Sequence, residues 1–317
     1  ACYFFSTIKI VPLLFVGIFF LRLSGQGLMS HTATTTVARF FEKTRGKALS
    51  VTWLGLSAAE FIMPVLMVFL LTITSWRNLW ISISIVVLIL LPIISFLLVK
   101  KLKLDSRENV KHHDEKIDTN IKQWTRSEVI RDYRFYIVTL NMLSMPSIAT
   151  GVFVYQSFIV SSKNWGPFIM AQSFMVYSIL SVITLTISGF LIDRYTSRKL
   201  LIYMNIPLFI SALVLFSFNS SFSSFIFLGL IGITNGFANV LGSSTWAEIY
   251  GVKYIGSIKA LTTALMVFAT AFGTALFGIL IDAGYSIEKI AIISAVSISC
   301  SIVLLFTVRK KLNPVYL

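Results

Sequence analysis

Apolar residues run along this chain in nine stretches of about 20 residues or more. They lie near 10–37, 48–73, 79–99, 135–160, 167–192, 200–218, 223–246, 259–281 and 287–308, separated by clusters of Gly, Pro and charge. Wound as α-helix, runs of that length span the roughly 30 Å hydrocarbon core of a bilayer, whereas barrel strands would be alternating segments of about ten residues. In lipid the backbone must satisfy its own hydrogen bonds, so each stretch is read as a transmembrane helix. The pattern predicts an all-α integral membrane protein.

Composition agrees. Of 317 residues, 56% are hydrophobic and 13% charged, with a mean hydropathy of +0.84. Soluble domains carry about 25% charged residues, and one water-exposed globule could not cover this much apolar side chain. The net charge of +14 would by itself suggest nucleic acid. Its distribution excludes that reading. Of the 27 Lys and Arg, 22 fall in one alternating set of connections, four in the other (Lys9, Arg77, Lys163, Lys289), and Arg22 alone lies within a span. This positive-inside asymmetry predicts a multi-pass protein of the cytoplasmic membrane, with its C-terminus and the long 100–134 connection in the cytoplasm. That connection reads as a solvated basic linker with some amphipathic helix. His112 and His113 are adjacent and point to different helix faces, which is not a metal-ligand pattern.

One charged loop carries a recognisable motif. "GFLIDRYTSRKLL" (189–201) ends one span and opens the next. It resembles the cytoplasmic loop signature of the major facilitator superfamily, matching at Gly189, Leu191, Asp193, Arg194, Arg198 and Lys199. Thr196 stands where glycine is usual and Ser197 where a basic residue is usual. The stretch "FLRLSGQG" around Arg22 resembles the superfamily's fourth-helix signature, and 39–66 and 246–284 resemble its helices 4–5 and 10–11 in bacterial members near the monocarboxylate-porter type. The resemblance implies a fold of twelve helices in two halves, of which helices 4–12 are present and the first three are missing. It divides the chain into 1–99 (the rest of the first half), the 100–134 linker, and 135–317 (the second half with a short cytoplasmic tail). In the loop signature, Gly189, Asp193, Arg194 and Arg198 are expected to form a cytoplasmic gating latch, the Asp accepting from a helix N-terminus or a neighbouring Arg.

Charges inside the bilayer are the strongest functional signal. A lone arginine at that depth costs at least about 2.5–3.5 kcal/mol and usually faces the bundle interior beside a partner. Counted at 1.5 Å per residue, Arg22 and Glu60 each lie about 18 Å into their spans, so Glu60 is the expected partner. Gln26 follows Arg22 by one turn. A buried carboxyl beside an arginine can couple to protons or receive an anion; a fixed structural pair is the alternative. Polar stripes at Asn141, Tyr155 and Gln156, and at Asn235, Asn239 and Trp246, are expected either to line a cavity or to bond between helices. Gly232 and Gly236 form a GxxxG contact face.

No HExxH, paired acidic motif or nucleophile elbow occurs, so no enzyme, cofactor or metal is expected. The resemblance implies a monomeric secondary transporter that moves a small organic anion, such as a monocarboxylate, by alternating access with protons. Efflux of an amphiphilic compound and a non-transporting receptor or scaffold are the alternatives.

Overall fold

The computed structural model describes residues 1–29, 32–33, 45–102, 122–251 and 253–314; of these, the side chains of 26–27, 45–53, 98–102, Pro167, Asp193 and Ser243 lie outside the description. All regular structure among the described residues is helical. Among the described residues, eight helices are long and apolar enough to cross a membrane. The expected first span, 10–37, is represented by a shorter apolar helix, its remainder lying partly outside the described residues. The chain divides into two compact units, one of residues 1–59 and 65–115, the other of 60–64 and 116–317.

In the first unit, which shares the helix Arg45–Ile73 with the second because residues 60–64 belong to the latter, α1 (Cys2–Thr7) is followed by α2 (Val11–Leu21), which carries Pro12 in its first turn, where the missing N–H leaves nothing unsatisfied. Gly17 lets the Phe5 and Ile8 side chains lie directly on α2, with no room for a Cβ. Arg22–Met29 continues α2 as π-helix, a geometry that concentrates at functional positions. Next come α3 (Arg45–Ile73) and α4 (Trp76–Leu102), carrying Pro64 and Pro92 in their interiors. Phe5 packs on Trp80 with ring centres 5.0 Å apart, and Arg77 donates to the Ile8 carbonyl at 3.3 Å, which ties α1 to α4.

The second unit holds α5 (Arg126–Arg131), α6 (Tyr133–Val154), α7 (Gln156–Lys163), α8 (Pro167–Tyr195), α9 (Ser197–Ser217), α10 (Ser221–Tyr250), α11 (Ile255–Asp282) and α12 (Ile287–Val308). The expected 135–160 span is interrupted: Tyr155 leaves helical geometry at φ −98°, ψ 23°, and α7 continues as a separate piece ending on left-handed Asn164, a residue that tolerates that conformation. Helices α8 and α10 approach one another closely. At Gly232 a Cβ would overlap the Tyr177 carbonyl oxygen, and at Gly236 it would meet Ser181 O at 2.5 Å. The GxxxG face is therefore a backbone-to-backbone contact, as its spacing predicts.

Two apolar clusters fill this unit, one around Ile159, Trp165, Leu215 and Phe227, the other around Val129, Phe135, Trp246, Tyr250 and Leu312. Along α6, α9 and α12 the switch from one to the other is marked by Asn141, Asn205 and Ser301. A layer of neutral polar groups therefore separates the two apolar halves of the unit.

Candidate functional site

The polar layer is held together by side-chain bonds. Asn205 donates to the Asn141 carbonyl oxygen at 2.6 Å, and Asn141 donates to Ser301 Oγ at 3.5 Å. Ser144 donates to the same oxygen at 3.3 Å. Asn141 and Asn205 are fully buried, and the Oδ1 atom of each has no hydrogen-bond partner. On the α8–α10 pair, Asn235 donates to Ser181 Oγ at 3.0 Å. The stripe residues thus meet different fates. Asn141 and Asn235 bond between helices; Asn239 is half-buried; Tyr155 packs at the cluster edge with its hydroxyl against Gly278; and Gln156, displaced onto α7, is exposed. Trp246 is core, buried among Phe135 and the stacked Tyr250 ring 6.0 Å away.

Of the two charges expected within the bilayer, Arg22 is exposed at the end of α2 and Glu60 is half-buried. Arg22 opens the π-helical stretch and Glu60 stands near the midpoint of α3. The Glu60 Oε2 atom is buried without a hydrogen-bond donor. Arg22 belongs to the first unit and Glu60 to the second. The Gln26 and Asp193 side chains lie outside the description.

At the α8–α9 turn, the acid that caps the next helix is Glu248, near the end of α10. Its Oε1 accepts the Ser197 N–H at 2.8 Å, and its Oε2 accepts the Arg198 N–H at 3.3 Å and Arg198 Nε at 3.2 Å. Arg198 also donates to Asn313 Oδ1 at 2.9 Å. Glu248, through Arg198, therefore joins α9, α10 and the chain after α12. Arg194 instead lies exposed beside the Tyr195 ring, and Gly189 is half-buried. The turn passes through Thr196 at φ 71°, ψ 146°, the region in which glycine is at ease, which explains physically why glycine is usual there.

A second charged cluster lies beside it, built from residues that the sequence assigned to the linker. Asp132 caps α6 by accepting the Arg134 N–H at 3.0 Å. The Arg134 guanidinium returns to the same carboxylate, at 2.8 Å from both Nε and Nη2, and Tyr250 donates to it at 3.1 Å. Arg134 Nη1 donates to the Lys311 carbonyl at 2.8 Å. Both charges are buried. Such a pair tolerates burial because every charged atom is engaged, and losing one partner costs about 3–5 kcal/mol. Residues 122–131 also dock here: Trp124 donates its backbone N–H to the Tyr250 carbonyl at 3.0 Å, and Val129 is fully buried. A capping box closes α5, in which Glu128 accepts from the Thr125 N–H at 2.8 Å and pairs with Lys122 at 2.9 Å. The Thr125 backbone bond, followed by Lys122, pulls the Glu128 carboxyl from 4.5 down to about 2.

A third latch escaped the sequence altogether. Lys163, whose side chain is 0% exposed, reaches Asn219 Oδ1 at 2.7 Å and Glu288 Oε1 at 2.9 Å, joining α7, the α9–α10 turn and the start of α12. Its only sequence signal was a lysine in an otherwise cation-poor connection. Among the described residues, no three His, Cys, Asp or Glu side chains are grouped to hold a metal.

The family model of the Major Facilitator Superfamily matches residues 1–202 and, in a second overlapping match, 142–315. No curated protein matches the chain.

Proposed function

This chain belongs to the Major Facilitator Superfamily, a family of secondary transporters of small solutes, and from that premise we propose that it moves a small organic anion, such as a monocarboxylate, by proton-coupled alternating access. The observation that carries the coupling is Glu60: a carboxyl near the midpoint of a membrane-spanning helix, with one oxygen buried and unbonded. An unpaired buried carboxylate is costly, whereas its protonated form is not. A group in that position gains and loses a proton as its surroundings change between the two access states. Arg22 is assigned as the cation that receives the substrate anion. Asn141, Tyr155, Gln156, Asn235, Asn239 and Trp246 are assigned to support of the substrate path in the second half. Asp193 acts with the Arg198–Glu248 pair at the cytoplasmic latch. The protein works as a monomer in a bacterial cytoplasmic membrane, with its C-terminus inside.

Uptake of radiolabelled monocarboxylates into proteoliposomes containing the full-length protein tests this reading. An imposed gradient, acid outside, accumulates substrate, and a protonophore abolishes the accumulation. Uptake that is indifferent to the gradient, or confined to neutral amphiphiles, rejects it.

A further inference from the structure

Trp124, Glu128, Arg131, Asp132 and Tyr133 line an open cleft of about 360 Å³ where the chain enters the span Tyr133–Val154. A cleft at the start of a membrane-spanning helix is where aromatic and basic side chains gather at the membrane–water boundary.

The charges around the cleft do not cancel. Glu128 is neutralised by Lys122, and Asp132 by Arg134. Arg131 is exposed and has no ion-pair partner among the described residues. Lys122 lies over the Trp124 ring at 4.3 Å, and Lys311, whose backbone is held by Arg134, lies over the Tyr133 ring at 5.9 Å. The cleft therefore offers the Arg131 guanidinium, with the Lys311 ammonium over the Tyr133 ring beside it, flanked by aromatic faces, which suits an anionic group with oxygen acceptors.

The surface leading away from the cleft is apolar. Tyr133, Tyr136 and Leu140 follow one another at helical spacing along α6, each about half exposed at 51%, 54% and 50%. The Tyr136 hydroxyl donates to the Ile130 carbonyl at 2.8 Å, which satisfies it and fixes the ring in this stripe. A soluble anion makes no use of such a stripe; an acyl chain does.

We propose that this cleft is a binding site for an anionic phospholipid, its phosphodiester on Arg131 and its acyl chain along Tyr133, Tyr136 and Leu140. Docked there, the lipid lies against the α5–α6 junction and next to the Asp132–Arg134 pair that fastens the chain after α12. Anionic lipid so placed stabilises that end of the second unit. The site is separate from the transport path, so its test is independent of substrate identity.

Native mass spectrometry of the purified full-length protein, titrated with short-chain phosphatidylglycerol, phosphatidylcholine of the same chain length and glycerol 3-phosphate, tests the proposal. Phosphatidylglycerol binds saturably and in preference to phosphatidylcholine. Arg131→Gln weakens it about fivefold, the factor that one interfacial cation contributes, while Arg131→Lys retains most of the binding. Leu140→Ser weakens phosphatidylglycerol without altering the response to glycerol 3-phosphate. Equal binding of the two lipids, or an Arg131→Gln titration that matches the wild type, overturns the proposal. So does displacement of the lipid by glycerol 3-phosphate at equal concentration, which would make the cleft a site for a soluble anion.

Discussion

Glu248 holds Arg198 by two routes at once, accepting its backbone N–H at 3.3 Å and its Nε at 3.2 Å. The same carboxylate accepts the Ser197 N–H, so one acid both caps α9 and neutralises the basic residue beside the cap. Glu248→Ala removes a helix cap worth about 1 kcal/mol and a partly exposed ion pair worth about 0.2–1 kcal/mol. Thermal unfolding of the purified variant should show a loss of about 1–2 kcal/mol, with Glu248→Gln intermediate because its amide oxygen still accepts one N–H.

Thr196 should respond in the opposite direction. It occupies a backbone region suited to glycine, at a cost of about 1–3 kcal/mol, and its hydroxyl is buried without a partner. Thr196→Gly removes both penalties and should raise the melting temperature. Thr196→Val keeps the backbone penalty and removes only that of the hydroxyl, so it should raise the melting temperature by less than Thr196→Gly does.

The α8–α10 contact makes a sharp positional prediction. At Gly232 a methyl group would meet backbone, which cannot swing aside, whereas at Gly242 on the same helix no atom lies within 4 Å. Gly232→Ala should destabilise by about 1–3 kcal/mol. Gly242→Ala should be neutral or stabilising by up to about 1 kcal/mol. Parallel melts of the two variants check the pair.

The capping box of α5 predicts a pH dependence. The Glu128 carboxyl ionises near 2 in the folded chain, against an ordinary 4.5. A lowered value means that its stabilising effect is complete above about pH 4.5 and disappears as pH falls toward 2. Amide exchange over 125–131, corrected for intrinsic rates, should accelerate across that window. Glu128→Ala should exchange at the fast limit throughout.

Much of this architecture was legible in the sequence because membrane helices announce themselves. The spans expected at 167–192, 223–246 and 287–308 became Pro167–Tyr195, Ser221–Tyr250 and Ile287–Val308. The Gly232–Gly236 spacing carried its contact face with it. Helix ends extended by up to four residues because polar ends such as 247–250 still bond within the helix after hydropathy has fallen. The latches were not legible. Lys163 meets Asn219 and Glu288, and Arg134 meets the carbonyl of Lys311, across distances in sequence that no local pattern encodes. Arg134 was counted as one more solvated cation because composition does not distinguish a buried arginine from an exposed one. The break at Tyr155 was invisible for a similar reason: no Gly or Pro marks it, and hydropathy continues across it.

The central claim is that the Glu60 carboxyl carries the proton. Proteoliposomes containing wild-type protein or Glu60→Gln, assayed both for pH-driven accumulation and for exchange of labelled against unlabelled substrate without a gradient, address it most directly. A carboxyl that carries the proton predicts that Glu60→Gln abolishes accumulation while exchange continues. Accumulation by Glu60→Gln at the wild-type level would contradict it.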